Sequence, residues 1–254
     1  MKTKSEKNKK IKKIVKVPSE GGCLKMNIGC RNAPDEIVSK LGVKSSCIYI
    51  DKDNIEKTFM NISKATGDIF IGGDHSITYS LVKGFKEKIG LNFGLIMFDS
   101  HPDCVNNFSP PSHEDFIRVL IEEGVVKAEN ILLIGLRSID NIEMKFLIKN
   151  KIKRILMKDI LSGKLDVNRI IKNFINRFEG IYLSCDIDVL DSKIVPGTGY
   201  PVSKGFMLND LINVLRIVRD SKKVSRMDLV EINPDKDING VTVGCGVEIL
   251  KVFL

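Results

Sequence analysis

The sequence predicts an α/β fold built on a mostly parallel sheet, and three observations carry that expectation. Short apolar runs of strand length alternate with amphipathic stretches along the whole chain. The apolar runs are continuous rather than alternating, as strands buried on both faces require. No linker or internal repeat divides the 254 residues, which are enough to bury a large core.

The first strand is expected near Ile14–Val17, and the others over Ser46–Ile50, Asp68–Ile71, Phe93–Phe98, Ile131–Leu136, Arg154–Met157, Ile181–Cys185 and Met227–Ile232. A helix over Asn32–Leu41 has Pro34 in its first turn and Gly42 just past its end. Over Ser76–Lys88, Ile77, Leu81 and Phe85 recur four apart on one face. The stretch Ser112–Glu123 opens with Ser112-x-x-Asp115, turns Phe116, Val119 and Leu120 inward, and stops at Gly124. Asp140–Lys149, Asp166–Phe178, Met207–Arg219 and Thr242–Phe253 follow the same pattern.

The net charge of +8 suggests a nucleic-acid binder only until it is located. Residues 1–16 hold eight lysines and one glutamate, a net of +7, which leaves about +1 for the other 238 residues. The chain is therefore expected to divide into a basic arm over 1–16 and a single domain over 17–254, and nucleic acid is not an expected partner. No apolar run approaches the ~18 residues of a membrane span, and the N-terminus lacks a secretory apolar region. Six cysteines without a C-x-x-C pair imply reduced thiols, so a cytoplasmic location is expected.

Ligands of parallel sheets bind beyond the carboxyl ends of strands, and all three histidines fall beside strand ends or helix starts. His75 lies in GGDHS, His101 in DSHPD and His113 at the start of the helix expected from Ser112. Asp99, His101 and Asp103 alternate, as do Asp186 and Asp188, which in extended chain turns each set to one side. Carboxylates leaving an apolar strand either sit in water or bind cations. Six potential ligands, His75, Asp99, His101, Asp103, Asp186 and Asp188, exceed one open site and suit two ions sharing carboxylates, with a bridging hydroxide as nucleophile. The excess of oxygen favours Mn²⁺, other divalent transition metals being compatible.

The segments GGDHS (72–76), FDSHPD (98–103), SCDIDVLD (184–191), PGTGYP (196–201) and VEINP (230–234) together resemble the ureohydrolase family of arginases and agmatinases. The resemblance runs from about Gly29 to the C-terminus. It implies the three-layer α/β/α arginase–deacetylase fold, assembly as a homotrimer or homohexamer, and two Mn²⁺ per chain. His75 would bind one ion and His101 the other, Asp99 and Asp186 would bridge, and Asp103 and Asp188 would complete the shells. By the same resemblance Asp103 would hydrogen-bond the hydroxide, Glu231 would pair with the substrate guanidinium, His113 would serve the leaving amine, and Thr198 would contact substrate. A helix N-terminus disfavours imidazolium, which would let His113 cycle near neutral pH.

Five positions depart from the family pattern. Ser100 replaces alanine, Ser192 stands where Asp-Pro is usual, Glu114 replaces a glycine, Tyr200 a small threonine, and Val202 a residue that is glutamate in agmatinases and valine in arginases. The expected reaction is hydrolysis of a guanidino compound to urea and an amine. Agmatine, which gives putrescine, is favoured because the loop Cys104–Ser112 is short. Arginase, guanidinobutyrase or formiminoglutamase activity is the alternative within the family. A fold-related deacetylase and an inactive metal-binding homologue are the alternatives outside it.

Overall fold

The computed structural model describes residues 12–90 and 92–254. Its middle layer is one parallel sheet of eight strands: β1 (Ile14–Val17), β2 (Ser45–Cys47), β3 (Ile69–Gly72), β4 (Phe93–Phe98), β5 (Ile131–Leu136), β6 (Lys153–Leu156), β7 (Gly180–Asp186) and β8 (Val224–Val230). Parallel neighbours need long crossovers, and the chain supplies a helix after every strand: α1 (Ala33–Leu41), α2 (Ile55–Ser63), α3 (Ile77–Ile89), α4 (Phe116–Glu122), α5 (Asn141–Lys149), α6 (Met157–Leu161), α7 (Val167–Asn176), α8 (Leu208–Asp220) and α9 (Val241–Lys251).

Successive strand residues point to opposite faces, so each central strand feeds two cores. Ile96 and Phe98 of β4 join α1, α7, α8 and α9 through Ile37, Phe174, Leu215 and Leu250. Leu95 and Met97 join α2, α3, α4 and α5 through Phe59, Phe85, Leu120 and Phe146. The result is the three-layer α/β/α sandwich. Each fully buried side chain of this size contributes roughly 1.5–3 kcal/mol.

The strand order, β2-β1-β3-β8-β7-β4-β5-β6, is what positions the site. The first three strands build one half of the sheet and β4 to β6 the other, and β7 and β8 fill the gap. The carboxyl ends of β3, β8, β7 and β4 are therefore neighbours, at the place where the strand order reverses.

Several local readings differ from the structure. The nine-residue α2 was not expected; Asn54 caps it by accepting from Lys57 N at 2.8 Å. Strand β2 is shorter than Ser46–Ile50, and Met157 opens α6 instead of ending a strand. Helix α4 begins at Phe116 rather than Ser112. Ser112 N and Oγ both donate to Asp115 Oδ1, at 2.6 and 2.8 Å, so the Ser-x-x-Asp pattern closes a turn instead of capping a helix. Residues 1–11 of the basic arm lie outside the described residues, while Ile14–Lys16 at its end pair with both β2 and β3.

Gly84 in α3 shows packing overriding propensity. An alanine there would gain about 1 kcal/mol in an isolated helix, but its Cβ would stand 1.9 Å from the backbone oxygen of Ser63 at the end of α2. Gly84→Ala is predicted to destabilise the protein by roughly 1–3 kcal/mol, read as a lower midpoint of urea unfolding. An unchanged or higher midpoint would mean that α2 and α3 do not approach this closely.

Candidate metal centre

Three of the four adjacent strand ends, those of β3, β4 and β7, deliver every ligand candidate. His75 follows β3, Asp99 to Asp103 follow β4, Asp186 ends β7, and Asp188 lies in the 3₁₀ turn Ile187–Val189. The D-x-H-x-D segment does not continue as a strand: Asp103 has φ 48°. Asp188 likewise comes back beside Asp186 through a turn. The carboxylates converge because the chain leaves the strands, not because it extends them.

Backbone N–H groups orient most of these side chains. His101 N donates to Asp99 Oδ1 at 2.6 Å, Ser100 N to Asp188 Oδ1 at 3.0 Å, and Asp188 N to Asp186 Oδ1 at 2.8 Å. The second oxygen of each carboxylate then faces an imidazole. Around His75 Nδ1 stand Asp103 Oδ2 at 3.0 Å, Asp99 Oδ2 at 3.1 Å and Asp186 Oδ2 at 3.2 Å. Around His101 Nδ1 stand Asp188 Oδ2 at 3.0 Å and Asp99 Oδ1 at 3.6 Å. Two donor groups result, His75–Asp99–Asp186 and Asp99–His101–Asp188, and Asp99 belongs to both.

A pair of cations fits these residues. His75 Nδ1, Asp99 Oδ2 and Asp103 Oδ2 are buried and without a hydrogen-bond partner, although they approach one another. Donor atoms that converge without bonding suit an ion placed between them. Burial, then the neighbouring carboxylates, push Asp103 up to about 8, Asp186 well above the ordinary aspartate value, and Asp188 in the same direction. Asp99 goes the other way: burial is outweighed by His101 and His75, which face it. Four buried carboxylates served by two imidazoles are short of positive charge, and divalent ions would supply it. Ser100 Oγ also lies 2.9 Å from His101 Nδ1, a contact that alanine could not make.

Above this cluster a cavity of about 200 Å³ is lined by Glu231, His113, Thr198, Glu114, Tyr200, Asp140 and Glu143, among others. Glu231 sits just past β8 with φ 64°, its N–H bonded to Gly73 O at 2.7 Å. A positive φ outside glycine costs of order 1–3 kcal/mol, and here it turns the carboxylate towards β3. Glu231 Oε1 accepts from His75 N at 2.6 Å, and Oε2 accepts from Asn27 Nδ2 at 2.6 Å. His113 Nδ1 lies 3.2 Å from Oε1, while His113 Nε2 is buried with no hydrogen-bond partner. Burial opposes a proton on His113, but Glu231 outweighs it and carries the imidazole up to about 9. The helix-dipole expectation for His113 is thus corrected, since the helix starts three residues later and Glu231 dominates.

Other residues hold the site together. Ser184 Oγ lies 2.9 Å from His75 Nε2 and donates to Asp228 Oδ1 at 2.6 Å, and Thr78 Oγ1 donates to Asp228 Oδ2 at 2.9 Å. That chain fixes the ring whose other nitrogen meets the carboxylates. Ser184 was findable, because it precedes Asp186 by two on the same strand face. Asn27 was not: it reaches Glu231 from a turn 204 residues away and carries no local pattern. In GGDHS, Gly73 is required because a Cβ would stand 1.9 Å from Ser19 O. Asp74 accepts from Gly22 N and Ser76 N, at 3.2 and 2.9 Å.

Comparison with known proteins places the chain in a family. The model of the arginase family matches residues 46–254. An arginase of Staphylococcus aureus is 34% identical over 203 residues, a match covering 73% of this chain and 66% of that protein, just under two thirds of its length. Among solved structures, arginase from Bacillus subtilis superposes with a TM-score of 0.85 at 24% identity, over 96% of this chain and 98% of that one. Formimidoylglutamase from Bacillus subtilis superposes with a TM-score of 0.84 at 22% identity, over 97% and 87%. These two likenesses speak for the fold, and the family match for descent: the chain belongs to the arginase family.

Proposed function

We propose that the protein is a dimanganese amidinohydrolase that splits a guanidino compound, agmatine before arginine, into urea and an amine. The observation that carries this reading is the sharing of Asp99 between two donor groups. The oxygen-rich donor set favours manganese. When bound, the ion pair supplies hydroxide near neutral pH by lowering the pKa of a water. A cytoplasmic homotrimer or homohexamer belongs to the same proposal; no helix among the described residues is long and apolar enough to cross a membrane.

The protein's own residues then divide the work. Glu231, ionised and held by His75 N, Asn27 and His113, keeps acceptor capacity for the planar N–H groups of a guanidinium. Thr198 is buried in the cavity wall beside it. Asp103 offers an unpartnered oxygen to the attacking water. As the C–N bond breaks, the leaving nitrogen needs a proton, and His113, protonated and in the cavity wall, is placed to give one.

The preference for agmatine rests on what lines the cavity. A buried carboxylate without partners costs several kcal/mol, and no lysine or arginine is among the described lining residues. In the loop Cys104–Ser112, Asn106 and Asn107 carry amides that could donate to an α-carboxylate, but both are exposed and outside the wall, and the Asn107 amide is bonded to Glu122. Val202 does not line it either; its carbonyl accepts from Arg137 Nη2 at 2.9 Å.

Manganese-loaded protein is expected to carry two equivalents of metal, and Asp99→Ala to lose most of both; one equivalent in the parent would contradict the binuclear reading. Glu231→Gln should keep the metal and lose about 2 kcal/mol of transition-state binding, roughly thirtyfold in kcat/KM for urea release. Loss of metal alongside activity would place Glu231 elsewhere in the chemistry. With His113 protonated below about 9, kcat should hold through neutral pH and fall as pH rises through that value. His113→Asn should lower kcat by about a hundredfold and abolish that limb. A limb that survives the substitution would assign the proton to another group.

A further inference from the structure

Two of the departures from the family pattern meet in space. Glu114 and Tyr200, 86 residues apart, both line the outer part of the cavity, and Tyr200 OH donates to Glu114 Oε1 at 3.0 Å. The Tyr200 ring stands against both imidazoles, with centroids 5.9 Å from His101 and 5.6 Å from His113. Burial, then Glu114, hold the phenol above its usual value, so it keeps its proton and donates. The backbone beneath Glu114 is fixed at both ends: its N–H donates to Ser112 Oγ at 3.2 Å, and its carbonyl accepts from Val105 N at 3.1 Å.

The acidic groups of the cavity are not equivalent. Two dications would balance the four aspartates of the metal centre, and Glu231, held by His75 N, Asn27 and His113, is taken by the guanidinium in the proposed reaction. Glu143 is spent on backbone, accepting from Cys104 N at 3.1 Å and Asp140 N at 3.0 Å. Glu114 differs. Its ion-pair contact among the described residues is a distant one, 3.9 Å from His113 Nε2, and its side chain is 36% exposed. It is a carboxylate with spare acceptor capacity across the His113 ring from Glu231. Asp140, exposed, adds a second negative charge to the wall.

We infer that Glu114 and Tyr200 form the subsite for the far end of the substrate, and that this subsite takes a primary ammonium group. An ammonium carries three N–H donors and no acceptor, and Glu114 with the Tyr200 oxygen supplies acceptors, the His113 imidazolium lying 3.9 Å from Glu114 Oε1, beyond hydrogen-bonding distance. A carboxylate at that end meets a like charge instead. The inference rests on the proposed hydrolysis of guanidino compounds and narrows it to those with a protonated amine opposite the guanidinium. Glu114 and Tyr200 set specificity here; they take no part in breaking the C–N bond.

The test uses the full-length, manganese-loaded protein and three guanidines of one chain length, ending in an amine (agmatine), a methyl group (butylguanidine) or a carboxylate (4-guanidinobutyrate). Glu114→Gln should lower the ratio of kcat/KM for agmatine over butylguanidine about tenfold, through KM, and raise 4-guanidinobutyrate relative to butylguanidine. Tyr200→Phe should shift the first ratio in the same direction by less. Ratios unchanged by Glu114→Gln would overturn the subsite while leaving the hydrolase standing. If the parent releases urea from none of the three, the proposed agmatine hydrolysis has failed, and calorimetry with 1,4-diaminobutane decides the subsite alone. Binding weakened about tenfold by Glu114→Gln would uphold the amine subsite, and equal or absent binding would overturn it.

Discussion

Four buried aspartates, the buried His75 and the partly exposed His101, gathered at one end of a parallel sheet, are the constraint on which the rest of the structure depends. Burial of carboxylates this close together is unfavourable unless backbone dipoles and cations offset it. The chain meets the first need locally, with N–H groups of Ser100, His101 and Asp188 each holding one carboxylate oxygen. The remaining oxygens converge on His75 and His101, which leaves the second need to ions. Everything around the cluster serves to keep those six side chains aimed: Ser184 and Asp228 behind His75, the Gly73–Ser19 contact beneath it, and the turn that pulls Asp103 out of the strand direction.

The topology makes this convergence possible. Because β7 and β8 are inserted between β3 and β4, residues from positions 75, 99 to 103, 186 to 188 and 231 share one crevice. A purely sequential sheet would have separated them. Glu231 and His113 then form an acid–base pair over the metal centre. Its two members are pushed in opposite directions, the carboxylate kept ionised and the imidazole kept protonated. In the proposed reaction, that division of charge would let one group hold a cation while its neighbour donates a proton.

Much of this was legible from residues alone, for identifiable reasons. Strands β4 and β5 match their expected limits because both faces are buried and the apolar run stops where burial stops. The six ligand candidates stood out as charge at the ends of such runs, and the structure brings all six together. By contrast β2, reading SSC and half exposed, has no such signature. Helix α2 was missed because its inward residues, Thr58, Phe59 and Ile62, give one short apolar stripe. Asn27 lies beyond the reach of any periodicity, as does the Glu114–Tyr200 contact, since both depend on loops meeting from distant parts of the chain. The expectation for His113 failed for a related reason: its partner is Glu231, 118 residues away, and not the helix that follows it.

The central claim is that Asp99 is shared by two ions, one beside His75 and one beside His101. Anomalous diffraction from crystals of the manganese-loaded protein tests it most directly. The account predicts two peaks about 3.5–4 Å apart, both within bonding distance of Asp99. A single peak, at His101 alone, would contradict it.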